Sequence, residues 1–247
     1  MPFNTSSWGY TIPVGATNAV SGELITSVLW NGVFADLSGA LNQLGALRII
    51  PQVFVTAGAT TYVASTNLVF AVVEVPGGGG GGGGGGGYAQ SIIPAATIGV
   101  SVTVTVGAAG IGGSGITLGV TGGTSSFGGL VVAAGGNPGL GATAAAAASG
   151  GLGGIGVTGQ VLKTGSPGGM GMAAAITTVL GPSGNGGSRP WPAYAAQGVV
   201  AVTSAVTGAV GMPAAGGAGG QCQATVTATA VGGAGGPGQI FVWEYVF

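Results

Sequence analysis

Residues 73–90 read VEVPGGGGGGGGGGGYAQ and place eleven consecutive glycines between an apolar run and a tyrosine. Glycine loses more backbone entropy on folding than any other residue, so such a tract is ordered only where something rewards the absence of a Cβ. A flexible linker is the alternative, although linkers rarely adjoin an apolar strand in a chain with many further glycine clusters. The question is therefore which structure requires eleven residues without side chains.

The composition favours a packed chain over a disordered one. The 247 residues include 59 glycines and 12 prolines, a proportion that often signals low complexity. However, 46% of the residues are hydrophobic and only 3% are charged, whereas disordered chains combine low hydrophobicity with high charge. The single cysteine, Cys222, cannot form a disulfide within the chain, so packing or oligomerisation must supply the stability.

The ionisable residues argue against several classes of function. Three Lys or Arg and four Asp or Glu give a net charge of -1, which removes the basic surface that nucleic-acid binding needs. Histidine is absent, and the four carboxylates are a poor supply for acid-base chemistry or metal binding. The apolar runs are too short for a membrane-spanning helix. We therefore expect no enzymatic activity, no metal or cofactor, no nucleic-acid partner and no membrane insertion.

Residues 1–50 contain the least glycine, and a helix is predicted over about residues 21–47. Ser21 is a suitable N-cap, and an apolar seam with alternating steps of three and four follows it. The seam consists of Trp30, Val33, Leu37, Ala40, Leu44 and Leu47. Because fewer than three heptads cannot sustain a coiled coil, the helix must dock on another surface. It either covers the chain's own β domain or serves as an N-terminal element for attachment and self-association.

From Ile49 onward the hydrophobic period changes to two, which is typical of short antiparallel strands. The runs of this kind are IIPQVFV (49–55), TTYV (60–63), NLVFAVVEV (67–75), VSVTVTV (100–106), ATVTATAV (224–231) and QIFVWEYV (239–246). LVFAVVEV leads directly into the glycine tract and QIFVWEYV directly follows GGAGGPG, so we predict that these two strands lie together in one β base. Glu74 and Glu244 are expected to point away from its core, because buried carboxylates without a cation are costly.

Between these strands, glycine recurs in clusters whose spacing matches neither collagen nor a solenoid of fixed period. A glycine tract can adopt the extended threefold helix, whose N–H and C=O groups all point outward and are satisfied only by neighbouring rods. Any inward Cβ would force such rods apart. We therefore predict that residues 77–87, with Gly77, Gly82 and Gly87 along them, form one buried rod of roughly 34 Å at about 3.1 Å per residue. Valine in place of Gly82 should then be strongly destabilising.

The order of these motifs resembles a known family. It runs from an apolar strand with a central Glu (68–75) through the glycine tract, SVTVTVGAAGIGG and GGTSSFGGLVVAAGG to GGAGGPGQIFVWEYV. This set is similar to the glycine-rich domain of tailed-bacteriophage tail fibres and receptor-binding adhesins, over about residues 55–247. The resemblance implies a mainly β fold, in which an antiparallel β base carries a sandwich of packed polyglycine rods with receptor-binding loops at the free end. Later clusters depart from the pattern, since Leu, Ile and Ala interrupt GGLGGIG and GGAGG.

The resemblance also implies a division of the chain into an N-terminal segment, residues 1–50, and a glycine-rich β domain, residues 51–247. The segment IPVGATNAVSGELITSVLWNGVFADLSGALNQLG is similar to those that attach fibre proteins to a virion. The implied protein is a virion fibre or adhesin, assembled in the host cytoplasm as a homotrimer, whose partners are other virion proteins and a host-surface glycan or outer-membrane protein. A purely structural head fibre, decoration or collar protein is the alternative.

A recognition site is predicted between residues 160 and 212, which contain two of the three cations, Lys163 and Arg189. The nearby stretch SRPWPAYAAQ places Trp191 and Tyr194 among prolines. Rigid aromatic rings and a guanidinium offer contact area and hydrogen bonds at low entropy cost. Alternatively, the two aromatic side chains plug the end of the bundle. We expect this stretch at the end of the glycine region farthest from the β base.

Overall fold

The computed structural model describes residues 47–114, 117–139, 149–170, 172–174, 185–190, 195–198, 206–223 and 230–247. Arg48–Val246 forms one compact unit. The predicted helix lies outside the described residues except for its last position, and so do four of the predicted attachment side chains, those of Trp30, Val33, Leu37 and Leu44. Leu47 is described; it is exposed and directly precedes the first strand.

The described part of the chain is mainly β, as predicted. Its strands are β1 (Arg48–Phe54), β2 (Gly58–Val63), β3 (Leu68–Pro76), β4 (Tyr88–Pro94), β5 (Ser101–Val106), β6 (Ser125–Phe127), β7 (Val131–Ala133), β8 (Gly156–Thr158), β9 (Val161–Lys163), β10 (Met172–Ala174), β11 (Gln221–Gln223) and β12 (Ile240–Val246). A short helix, α1, spans Ala95–Ile98. Sheet A has the antiparallel order β1-β12-β3-β4-β9, sheet B has the antiparallel order β2-β5-β6-β7-β8, and β10 pairs with β11 in parallel.

The two five-stranded sheets share one apolar core. Successive side chains of a strand point to opposite faces, so alternate residues of each sheet point inward. The inner side chains include Ala71, Val73 and Val75 of β3, Val104 and Val106 of β5, Val131 of β7, and Ile240 and Val242 of β12. Tyr62 of β2 packs edge-on against Phe127 of β6, with the ring centroids 5.0 Å apart. Burying each large aliphatic side chain contributes about 1.5–3 kcal/mol.

The prediction that LVFAVVEV and QIFVWEYV lie together is confirmed. They form β3 and β12, which are antiparallel neighbours in sheet A with Val73 opposite Val242. On the other side of β3 lies β4, so Pro76 at the end of β3 stands opposite Tyr88 at the start of β4. The eleven-glycine tract therefore leaves sheet A from one strand and returns to it at the adjacent strand.

Two strand assignments differ from the sequence prediction. The run YAQSIIP, residues 88–94, was not predicted as a strand but forms β4. Its proline is tolerated because Pro94 is the last residue of the strand, where the chain passes into α1. Of the predicted strand ATVTATAV, residues 224–229 lie outside the described residues, and Val231 forms an isolated bridge with Ser114 instead of a strand.

The two strand glutamates lie on opposite faces of sheet A. Glu74 lies on the outer face, as predicted, and accepts hydrogen bonds from the Trp243 indole at 3.2 Å and the Tyr88 hydroxyl at 3.1 Å. The prediction for Glu244 is wrong, because this side chain is 0% exposed and lies on the inner face of β12. Alternation along IFVWEYV puts Glu244 on the same face as Ile240 and Val242, and the strand's aromatic residues on the other.

Candidate functional site

The eleven glycines form a buried hairpin instead of the single rod predicted from the sequence. The chain reverses around Gly82, whose φ of 59° is a left-handed conformation that glycine adopts without strain. The two arms bond to each other from the Gly77 N–H to the Gly87 carbonyl and from the Gly80 N–H to the Gly84 carbonyl, both at 2.9 Å. Because the flanking strands are antiparallel neighbours, the tract must turn back halfway. We call residues 77–87 the central hairpin, and the end of the glycine region around Gly82 the far end.

Hydrogen bonds from the first arm of the central hairpin repeat every third residue. N–H groups three residues apart donate to the same neighbouring segment, and successive N–H groups donate to three different segments. The N–H groups of Gly77 and Gly80 donate to the carbonyls of Gly87 and Gly84, respectively. Those of Gly78 and Gly81 donate to Gly123 and Val120, and those of Gly79 and Gly82 donate to Gly236 and Gly233. All six distances are between 2.7 and 3.1 Å. A period of three is the one expected of the extended threefold helix. The arm therefore has hydrogen-bonded neighbours in three directions.

Almost every position of the central hairpin excludes a side chain. Except at Gly82, an added Cβ would lie 1.9 to 2.3 Å from a backbone atom of a neighbouring segment, closer than the 3.0 Å below which real Cβ contacts essentially never fall. At Gly79 the obstructing atom is the Ala215 carbonyl oxygen, and at Gly81 it is the Ile111 carbonyl oxygen, both at 1.9 Å. Ten of the eleven glycines are therefore needed because backbone packs directly on backbone, and Gly82 is needed for its left-handed φ at the turn.

Several later clusters carry a side chain at every third position, and these positions face outward. In VGGAGGPG the more accessible residues are Val231, Ala234 and Pro237, and all the intervening glycines are buried. In SGGLGGIG the exposed residues are Ser149, Leu152 and Ile155. These outer segments have a solvent side, whereas the central hairpin has none. The Leu, Ile and Ala residues that interrupt the glycines thus lie largely on the outward face and recur every third residue. This local period is not obvious in the sequence, because the spacing between clusters is irregular.

The structure places two of the predicted recognition residues, Lys163 and Arg189, near the sheets and not at the far end. Lys163 ends β9 opposite Tyr88, the first residue after the central hairpin. The Arg189 guanidinium donates to the Gln239 side chain at 3.3 Å, immediately before β12. Lys163 therefore lies in sheet A, and Arg189 lies beside it. The predicted location of these two cations is wrong because it assumed a single rod. A hairpin returns the chain to the sheets and so reverses the direction of every later segment.

The other two predicted recognition residues, Trp191 and Tyr194, lie outside the described residues. They therefore remain predictions.

Among the residues after position 47, charge is confined to the β strands and their immediate surroundings. The five charged residues after position 47 are Arg48, Glu74, Lys163, Arg189 and Glu244, of which four lie in strands and Arg189 lies beside β12. Described residues at the far end are instead neutral. Leu118 is 60% exposed and lies there because its neighbour Gly119 packs on Gly81, where an added Cβ would be 2.7 Å from the Gly81 carbonyl oxygen. Met170 is 67% exposed and lies two residues after Gly168, where an added Cβ would be 2.6 Å from the Gly83 carbonyl oxygen. Directly before Leu118, the Thr117 N–H donates to the Ser114 carbonyl at 3.0 Å. The far end thus offers apolar and neutral polar groups.

Comparisons with known proteins add no assignment, since no protein-family model matches the sequence and no curated protein matches it. Within the described ranges, no helix has the length and apolar character needed to cross a membrane. The same ranges contain no group of three or more His, Cys, Asp or Glu side chains that could hold a metal ion. The geometry of the glycine region is therefore the feature from which function must be argued.

Proposed function

We propose that this chain is a bacteriophage fibre protein or adhesin that binds the host surface, and that its glycine segments pack as a sandwich of polyglycine rods on the β base. The observation that carries the proposal is the threefold repeat of hydrogen bonds around the buried central hairpin. A bundle of extended glycine helices requires that repeat. The order of motifs, which resembles the glycine-rich domain of tail fibres, supports the same reading. No catalysis and no cofactor enter the proposed function.

A backbone lattice suits a protein that must display loops in fixed positions. Backbone groups are satisfied by neighbouring segments, so the glycine segments are ordered without relying on large side chains. Segments between the clusters, such as LGATAAAAA at 140–148 and VVAVTSA at 199–205, differ from the clusters in composition. In the proposal, the lattice is the constant scaffold and the segments that join its rods carry recognition.

We place receptor contact at the far end, because that end is remote from the β base and includes exposed Leu118 and Met170. The receptor is a host-surface glycan or outer-membrane protein. Because none of the described charged residues lies there, the proposed contact relies on apolar area and neutral hydrogen bonds. Lys163 and Arg189 are left out of the contact because both lie at the sheet end.

Adsorption of phage particles tests this placement. Leu118→Asp combined with Met170→Asp should lower the adsorption rate roughly tenfold or more, because burying a new carboxylate in an apolar contact costs more than about 1.4 kcal/mol. The matched control is Val100→Asp, which is 81% exposed and precedes β5 at the opposite end of sheet B from the glycine region. It should adsorb like wild type, and so should Lys163→Ala combined with Arg189→Ala. Equal adsorption of all variants, at equal incorporation, would favour the purely structural fibre, decoration or collar protein.

We further propose that the N-terminal segment attaches the chain, as a homotrimer, to other virion proteins. Removing residues 1–46 should abolish incorporation into particles and leave a soluble β domain. The deletion must stop before Arg48, because β1 pairs along its whole length with β12. Incorporation is measured by immunoblotting of purified particles, with the full chain as control. Particles that take up the truncated chain at the wild-type level would refute this role.

A further inference from the structure

Glu244 is a fully buried carboxylate that joins the two sheets. Its Oε1 accepts hydrogen bonds from the Tyr62 hydroxyl at 2.5 Å and from the Ser65 N–H at 3.0 Å, and its Oε2 accepts one from the Ser65 hydroxyl at 2.5 Å. Tyr62 belongs to β2 in sheet B, and Ser65 lies in the connection from β2 to β3. Glu244 itself lies in sheet A. One side chain thus fastens an edge strand of sheet B, and the connection that follows it, to sheet A.

The described elements packed around Glu244 supply hydrogen-bond donors and no charged neighbour. Across the strands it stands opposite Ile50 of β1 and Ala71 of β3. The charged residue of β1, Arg48, is exposed and stands opposite Val246, and Glu74 of β3 lies on the other face of sheet A. Among the described residues, Tyr62 is the one titratable group that contacts Glu244. An apolar side chain of similar volume would fill the same space without the cost of burying a carboxylate. Stability alone therefore does not explain why a hydrogen-bonded glutamate occupies this position.

Hydrogen bonding favours the ionised form of this carboxylate. Burial alone would raise the pKa of Glu244, but hydrogen bonds from Ser65 and Tyr62, with Gln52, outweigh burial and lower the pKa below its ordinary value. Burial, together with the hydrogen bond and the charge of Glu244, raises the pKa of Tyr62, so the phenol keeps its proton and stays a donor.

We propose that Glu244 is an acid-sensitive latch between the two sheets. When ionised, the carboxylate accepts from the Tyr62 hydroxyl and from both the N–H and the hydroxyl of Ser65. When protonated, it must place its own hydrogen among donors that already point at it, so at least one contact is lost and a buried polar group is left unsatisfied. The first part to loosen is β2, because it is an edge strand bonded only to β5 within its sheet. Because the folded carboxyl has the lower pKa, its contribution is complete at neutral pH and is lost as the pH falls through the folded value.

The test compares the full chain with two neutral substitutions, Glu244→Gln and Glu74→Gln. Glu74 is the matched control, since it also accepts two side-chain hydrogen bonds but lies on the outer face. Amide hydrogen exchange, corrected for intrinsic rates, and the melting temperature are measured at about pH 7 and about pH 4. In the wild type, acid should reduce protection in β2 at least about tenfold more than protection in β3 and β12. Glu244→Gln should show reduced protection in β2 at both pH values, and Glu74→Gln should keep the wild-type profile.

Two results would overturn the latch: a wild-type acid response in Glu244→Gln, or an equal loss of that response in Glu74→Gln. Tyr62→Phe keeps the proposal testable if Glu244→Gln does not fold. This variant removes one donor and retains the ring that packs on Phe127. With fewer donors the folded pKa of Glu244 rises, so the acid transition should move to higher pH. A transition at unchanged pH would also refute the latch.

Discussion

The Gly79→Ala variant is expected to lose most of the stability of the glycine domain, although it adds a single methyl group. The new Cβ would lie 1.9 Å from the Ala215 carbonyl oxygen and 2.3 Å from its carbonyl carbon, so backbone, and not a flexible side chain, would have to move. Overpacking of ordinary cores costs about 1–3 kcal/mol, and a rigid backbone lattice should exceed that range. Domains are stable by only about 5–15 kcal/mol, so a partly or wholly unfolded domain is the expected outcome. Denaturant unfolding of the full chain measures the change.

The matched control for this substitution is Gly129→Ala. Gly129 lies in the turn between β6 and β7, is exposed, and has no atom within 4 Å of an added Cβ. The free energy of unfolding of the Gly129→Ala variant should be unchanged or raised by up to about 1 kcal/mol, because alanine lowers the conformational entropy of the unfolded chain. If the two alanine variants were equally stable, direct packing of backbone on backbone in the central hairpin would be excluded.

Gly82 is not the position at which to test the lattice, contrary to the sequence prediction for its replacement by valine. An added Cβ there would meet only the Gly232 Cα, at an ordinary 3.4 Å. Its cost would come from the left-handed φ of 59°, about 1–2 kcal/mol for a residue with a Cβ. Gly82 therefore reports on the turn, and Gly79 and Gly81 report on the packing.

The β base was predictable because alternation of apolar residues is a strong local signal. It identified β3 and β12 and their location in one sheet. Alternation along IFVWEYV also puts Glu244 on the same face as Ile240 and Val242, so it would have predicted that Glu244 points into the core. The hairpin was missed for a different reason. Its prediction depends on recognising YAQSIIP as a strand, and the proline at its end conceals that. Once both sides of the tract are strands of one antiparallel sheet, eleven intervening glycines must turn back.

The positions of the cations could not be predicted, because they depend on how often the chain reverses between the sheets and the far end. An error of one in the predicted number of reversals places Lys163 and Arg189 at the far end when they lie near the sheets. Side-chain periodicity carries no information on this point, since a glycine run has no faces to distinguish. The outer segments carry a different kind of information, because a period of three marks which side of a segment meets solvent.

Exchanging two neighbouring residues in SGGLGGIG should therefore destroy the packing of an outer segment without changing composition. In Gly151→Leu combined with Leu152→Gly, the leucine moves from a position that is 68% exposed to one where its Cβ would lie 2.1 Å from the Asn137 carbonyl oxygen. The loss of unfolding free energy should exceed about 3 kcal/mol, since both the Cβ and the rest of the side chain must be accommodated between backbones. Leu152→Gly alone is the control, and it should cost no more than about 1 kcal/mol, the entropic penalty of an added glycine.

Both variants are compared with the wild type by denaturant unfolding at one pH and salt concentration. The double variant and the wild type have the same composition, so they differ only in the order of residues 151 and 152. A threefold segment turns by a third of a circle per residue, so a shift of one position moves the leucine from solvent into the lattice. In an ordinary amphipathic strand, the same exchange would also move the leucine from the exposed face to the buried face. There the leucine would meet other apolar side chains and not backbone, so the exchange would cost far less. If the double variant were as stable as Leu152→Gly, the outward positions would not be set by a period of three, and the explanation for the interrupted clusters would fail with it.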